Sequence, residues 1–257
     1  MARARLELIQ VLKRSTSEGV PALGKPASYG DFVLGRRLQL IDEMGPFHGG
    51  RLLDVGCGNG AQTVRLLDRF AEVVGLDVVP AHLTEFETYL VRQGVAHCRT
   101  VLYDGGTMPF DDASFDAVLS IETLEHVASE AGTLAEIRRV LRRGGTLVVS
   151  VPHKWWIFET HGANLPLLPW NRVPFFSWLP RPLHSRWARA RIYTRGQAVS
   201  LLRGAGFEVL ASRYLTAPMD VVQNAGLATF LRRTLFSGAS THVPVLSTSV
   251  FVMARRP

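Results

Sequence analysis

Two groups of residues in this chain have types and spacings that could do chemistry. The first is a run of acids and glycines: Asp54, then Gly56, Cys57, Gly58, Asn59 and Gly60, then Asp77, then Asp104 beside Gly105. Glycine lacks Cβ, so such a run turns tightly and lets a nucleotide-like ligand approach bare backbone. A carboxylate about 20 residues past a turn of this kind is placed to accept hydrogen bonds from ribose hydroxyls. The second group is Glu122-x-x-Glu125-His126. Two carboxylates and an imidazole suit Mg²⁺, Mn²⁺ or Zn²⁺. The same acids also favour a helix N-terminus through the macrodipole. His126 could work without a metal as a general base, since an ordinary imidazole titrates near pH ~6.5. Further on, Glu159-x-His161 offers an acid and a base, or another ligand.

The elements that must position these residues are legible as alternating patterns. Apolar runs of strand type cover 51–56, 73–77, 97–102, 115–121 and 146–151, and helical patterns cover the stretches to about 70, 80–92 and one through Leu134, Ile137, Val140 and Leu141 that stops at Gly144-Gly145. This regular alternation predicts a doubly wound parallel α/β sheet, Rossmann-like, covered on both faces. Ligands bind outside the carboxyl ends of such strands. Gly56, Asp77, Asp104 and the Ile121–Glu122 junction all fall there. Ahead of this frame, 5–13 and 31–44 read as helices, the second capped by Asp31, so that 1–50 forms a helical cap. After it come an insertion at 153–193, a helix at 194–204, a strand at 206–212, a second insertion at 217–241 and a closing strand at 246–254.

The spacing G-x-G-x-G leaves little provision for a pyrophosphate, unlike the G-x-G-x-x-G of dinucleotide enzymes. The segment Asp54-Val-Gly-Cys-Gly-Asn-Gly60 resembles the signature of the class I S-adenosylmethionine (SAM)-dependent methyltransferases, and the resemblance runs from 51 to 152. It implies a seven-stranded sheet whose last strand is antiparallel. It also implies SAM held by Asp54, Gly56, Cys57, Gly58, Asn59, Gly60, Asp77, Asp104, Gly105 and Ile121, with Asp104 as the acid near adenine. The E-x-x-E-H stretch resembles the ubiquinone-biosynthesis O-methyltransferases and the small-RNA 2′-O-methyltransferases. That implies a divalent ion (Mg²⁺ or Zn²⁺) on Glu122, Glu125 and His126, orienting an acceptor hydroxyl. His126, Glu159 and His161 are the candidate catalytic residues.

The 153–193 insertion sets an aromatic, proline-stiffened run beside Arg181, Arg186, Arg189, Arg191 and Arg195, with Trp187 and Tyr193 among them. Apolar surface next to cations suits a small-molecule or lipid-like acceptor, or peripheral contact with an anionic membrane. Basic residues mixed with aromatics also suit RNA. The expectation is therefore O-methylation of a hydrophobic or amphiphilic molecule such as a polyprenylated ring, lipid or lipid-linked glycan. The alternatives are RNA 2′-O-methylation and a non-catalytic SAM-binding accessory role.

At 257 residues with 47% hydrophobic and 20% charged residues, the chain can bury one α/β core, so it is expected to be a single domain. Two cysteines, Cys57 and Cys98, exclude a disulfide framework and suit a reducing compartment. No secretory signal or membrane-spanning apolar run is evident. The expected location is the cytoplasm, with peripheral contact at the inner membrane surface and a net charge of +7 to favour it.

Overall fold

Strands buried on both faces carry near-continuous apolar runs, because neighbouring residues point to opposite layers and both layers need filling. Leu52 and Leu53 do this in the first strand, packing on opposite sides of the sheet. A computed structural model describes residues 24, 26–158, 174–188, 190–220 and 222–257.

The strands are β1 (Gly49–Val55), β2 (Phe70–Asp77), β3 (Cys98–Leu102), β4 (Phe115–Ile121), β5 (Leu141–Pro152), β6 (Glu208–Thr216), β7 (Ser240–Thr241) and β8 (Ser247–Arg255). They form one sheet in the order β3-β2-β1-β4-β5-β8-β6-β7. The first five are parallel, and β8 lies antiparallel between β5 and β6. The eighth strand, β7, is a two-residue addition to the expected seven and pairs only with Tyr214 and Leu215. Strand order reverses between β1 and β4, so their carboxyl ends open a crevice at the switch point.

The helices are α1 (Phe32–Met44), α2 (Pro80–Gln93), α3 (Glu130–Val140), α4 (Arg181–Trp187), α5 (Arg195–Gly204) and α6 (Ala225–Arg233). Leu134, Ile137 and Val140 of α3 and Ala198 and Leu202 of α5 fill one face of the sheet. Leu40, Ile41 and Met44 of α1 and Leu83, Phe86 and Leu90 of α2 fill the other. Each fully buried aliphatic side chain contributes roughly 1.5–3 kcal/mol. A third cluster, Trp156, Ala217, Met219 and Phe236, sits beyond the ends of β5 and β6 and gives the two insertions a small core of their own. Arg36 of α1 reaches under it. Its guanidinium donates to the carbonyls of Ala217 (2.7 Å) and Phe236, which ties the N-terminal helix to both ends of the second insertion.

Local details depart from the sequence pattern in four places. Asp31 precedes α1, but its carboxylate accepts from Ser28 N (2.8 Å) and not from the helix's first turn. The segment after the glycine turn is a 3₁₀ helix, Thr63–Arg69, that runs directly into β2 at Phe70. Helix α3 ends at Val140, before the glycines, because Leu141 already pairs with Phe115. Gly144 and Gly145 instead close onto Arg256, through Gly144 N to Arg256 O (2.8 Å) and Arg256 N to Gly145 O (3.0 Å). Finally, β6 runs on to Thr216.

Candidate active site

The crevice between β1 and β4 is floored by the glycine turn. Gly56, Gly58 and Gly60 all take left-handed φ, at 75°, 55° and 80°. Each also leaves room for a neighbouring side chain. A Cβ on Gly56 would overlap Thr123, one on Gly60 would overlap the Phe86 ring, and one on Gly58 would lie 3.2 Å from Pro26. Gly56 N and Cys57 N donate to Leu76 O at 2.7 and 3.1 Å, which pins the turn to β2.

The acids divide into supporting and cleft-facing roles. Asp54 is buried under the turn, where Thr63 Oγ1 donates to its Oδ2 (2.6 Å). Burial pushes its pKa up to about 7, with Asp77 adding to the shift and the Thr63 bond opposing it. So Asp54 braces the turn from below, where the sequence suggested a cofactor contact. Cys57 behaves likewise: its thiol lies in the core against Gly75, and burial raises its pKa well above the ordinary thiol value. Gly60 is a packing glycine beneath Phe86. Asp77 sits at the strand end with Oδ2 accepting from Gly58 N (2.8 Å) and Oδ1 from Val79 N (2.9 Å). Each carboxylate oxygen keeps a second lone pair for a ligand. Asp104 is exposed, its Oδ1 held by Gly106 N (2.9 Å), and Tyr103 N donates to Asp77 O (3.2 Å), so the β2 and β3 ends move as one piece.

Across the crevice, β4 ends at the half-buried Ile121, and Glu122 takes φ 52°, an uncommon conformation for a side chain with Cβ and one that clusters at functional sites. Glu122 turns back onto its own sheet, where Ser150 Oγ donates to its Oε1. Thr123 Oγ1 bridges to Val55 O and Ile121 O, both at 3.1 Å, and so joins the two lips of the crevice. Glu125 is fully buried; burial first, and Glu122 second, raise its pKa well above the carboxylate norm. His126 Nε2 stands 3.9 Å from Glu125 Oε1, and the His126 side chain is 8% exposed.

A strap of residues 24 and 26–30 crosses the mouth. A Cβ on Gly24 would lie 3.1 Å from His126 Nε2. Asn59 Nδ2 donates to Ala27 O (3.2 Å) and Glu85 Oε1 (3.0 Å), while Tyr29 donates to Asn59 O and stacks on Tyr89 at 4.4 Å. The strap and Thr123 escaped the sequence reading, since neither belongs to a periodic pattern.

So did the job of Arg191, which the sequence placed in a cationic patch. Its Nη1 donates to Val127 O (2.7 Å) and Leu124 O (3.3 Å), and its Nε lies 3.7 Å from Glu130 Oε2. Tyr193 OH donates to the same Glu130 (2.8 Å). The patch is therefore dispersed: Arg191 faces inward, Arg195 turns toward Tyr214, and Arg186 lies over Trp187. Arg189, Glu159 and His161 lie outside the described residues.

The region 53–149 matches the family model described as a methyltransferase domain. The chain is 31% identical over 185 residues to a ubiquinone biosynthesis O-methyltransferase of Hahella chejuensis, covering 70% of this chain and 72% of that one. The chain belongs to the class I SAM-dependent methyltransferases. It is also 31% identical over 184 residues to a sterol 24-C-methyltransferase of Gibberella zeae, covering 70% of this methyltransferase and 45% of the sterol enzyme. A solved geranyl diphosphate methyltransferase with SAM shares the fold, with a TM-score of 0.58 at 19% identity, over 88% of this chain and 85% of that one.

SAM is the cofactor of this family. The residues present fit it: an acid with spare lone pairs at the end of β2, a left-handed glycine turn at the end of β1, and both at the switch point. When bound, SAM supplies an electrophilic methyl group. A divalent ion fits less well. Among the described residues no three His, Cys, Asp or Glu side chains converge on one point. Glu122 is committed to Ser150, and burial works against the anionic form of Glu125 that a hard cation needs. No metal step is derived for Glu122, Glu125 and His126.

Proposed function

We propose that this methyltransferase O-methylates a hydrophobic or amphiphilic small molecule, such as a polyprenylated ring, a lipid or a lipid-linked glycan. The observation that carries the reading is the position of His126, at the β4 lip of the crevice with Glu125 behind it and Gly24 packed against its ring. Asp77, the backbone of Gly56 and Gly58, and the exposed Asp104-Gly105 edge would hold SAM. The acceptor oxygen forms a bond to the methyl carbon as the carbon–sulfur bond breaks, and the hydroxyl proton passes to the His126 imidazole. Positioning supplies much of the acceleration of such an in-line displacement. Thr123 and Arg191 hold the lip that carries His126.

Trp155, Phe175 and Trp178, and Leu227, Phe230 and Leu235 from α6 and the turn after it, are exposed on the two insertions that share the third apolar cluster. Arg186 and Arg233 are exposed on α4 and α6. This supports an apolar acceptor, and peripheral contact at the inner face of an anionic membrane. No described helix is long and apolar enough to cross one.

The test is labelled-methyl transfer from SAM into fractionated host extract, comparing wild type with His126→Gln. Label in the lipid fraction, lost in the variant while SAM binding persists, is the expected result. Label recovered in RNA, or transfer undiminished in the variant, overturns the reading. Co-sedimentation with anionic vesicles, weakened in Phe230→Glu, tests the membrane contact separately.

A further inference from the structure

The sheet has two edges. One is β3; the other is β6, because β7 covers only Tyr214 and Leu215. Over residues 208–213 the outer side of β6 pairs with no strand among the described residues. Helix α5 runs alongside, and the two elements enclose a groove of about 510 Å³ whose lining includes Arg195, Val199, Arg203, Leu210, Ser212 and Arg213 and no acid.

The cations here are held in place yet not neutralised. Arg195 Nε donates to Ser212 Oγ (2.7 Å), and its guanidinium stands 5.7 Å from the centre of the Tyr214 ring. Arg213 Nη1 donates to Ser212 O (3.1 Å). Arg195, Arg203 and Arg213 have no ion pair among the described residues, so the groove keeps its positive charge. The acid nearest along the strand, Glu208, is taken by Arg255 at 2.7 Å. Leu210 sits in a register shift between Val209 and Ala211 and is 48% exposed.

We propose that this groove binds an extended acidic peptide segment of a partner protein, added as a strand along β6. Unpaired backbone groups on a strand edge supply affinity in this mode, and guanidinium forks recognise carboxylates in pairs. The length suits an extended ligand: Arg195 and Arg203 are separated by ~12 Å of helix, more than one phosphate or carboxylate spans. Nucleic acid fits worse, because the lining has no aromatic face for a base; Tyr214 is covered by Arg195 and by His153 at 4.6 Å. A second copy fits worse too, since pairing two such edges would set arginines against arginines. Charge and a bulge on an edge are the usual guards against self-pairing. Residues 1–23 of the chain carry four basic and two acidic side chains, the wrong sign for this groove.

The test uses the full-length chain and a fluorescein-labelled synthetic peptide alternating Glu and Val, with a Lys-for-Glu version and an oligouridylate as controls. The Glu peptide should bind at low salt and slow hydrogen exchange of amides within 208–213. Arg195→Glu combined with Arg213→Glu should weaken it ~10-fold or more, the equivalent of about 1.4 kcal/mol, while SAM affinity stays unchanged. The paired glutamine variants should show a smaller loss of the same kind. Binding that leaves those amides unprotected, equal binding of the Lys peptide, tighter binding of the oligouridylate, or no binding at all would each overturn the proposal.

Discussion

Gly60 and Gly105 share a left-handed backbone but answer to different constraints. Gly60 has the Phe86 ring where its Cβ would go, whereas Gly105 has nothing closer than Val78 Cγ1 at 3.9 Å. Gly60→Ala should therefore cost ~2–4 kcal/mol, combining overpacking with backbone strain, and Gly105→Ala only about 1–2 kcal/mol. Denaturant unfolding of the two variants checks the difference; equal losses would mean that backbone strain alone acts. Asp77→Ala removes the acceptor for Gly58 N and Val79 N as well as the carboxylate proposed to hold SAM. SAM affinity should fall by a factor of ~10 or more, with stability down by about 1–3 kcal/mol from the two orphaned amides. Calorimetric titration with SAM reads the first quantity and thermal melts the second. Both acids looked alike as letters in a motif. Their partners separate them: Asp54 accepts from Thr63 Oγ1 beneath the turn, and Asp77 from Gly58 N and Val79 N at the strand end.

At the scale of elements, the segment 122–130 depends on a residue some 60 positions away. Arg191 spreads one planar fork over the carbonyls of Leu124 and Val127, and its neighbour Tyr193 takes Glu130. A lysine is a point charge without that fork. Arg191→Lys should therefore lower kcat about 10-fold with little change in SAM affinity, since it loosens the lip carrying His126 and leaves the β1–β2 side alone. Steady-state kinetics with the acceptor varied would show it, and a loss confined to SAM affinity would refute it. The regular β-α alternation was readable because apolar period and strand length are local properties. Helix ends were less so. Gly144-Gly145 resembles a helix stop, yet pairing of Leu141 with Phe115 ends α3 first. The 3₁₀ helix at Thr63–Arg69 and the strap over Gly58 likewise answer to space between elements, which no local window contains.

For the whole molecule, buried titratable groups set how stability responds to pH. Asp54 is raised from 3.8 to about 7 by burial. Between those values the folded state keeps a proton that the unfolded chain has released, so stability from this group falls as pH rises through the window. His153, lowered from 6.5 to about 4 by burial, acts the other way, and its share is lost as pH falls below 6.5. Asp54→Asn should thus flatten the decline toward neutral pH and move the optimum upward, at the cost of the Thr63 contact. Melting curves across about pH 4–8 without SAM would test it; an unchanged profile would place the titration elsewhere.

The sequence by itself determined the doubly wound sheet and the glycine turn, and its motif carried the family resemblance that implied the antiparallel closing strand and SAM as the cofactor. Each rests on local periodicity or on a short contiguous motif. Only the tertiary structure decided which partners each acid takes, that Arg191 braces the segment after β4, that Glu122 belongs to Ser150, and that three arginines line an open strand edge. Those outcomes depend on burial and on contacts between residues far apart in the chain. The free energy of a charge is set by what surrounds it in three dimensions, not by its neighbours in sequence.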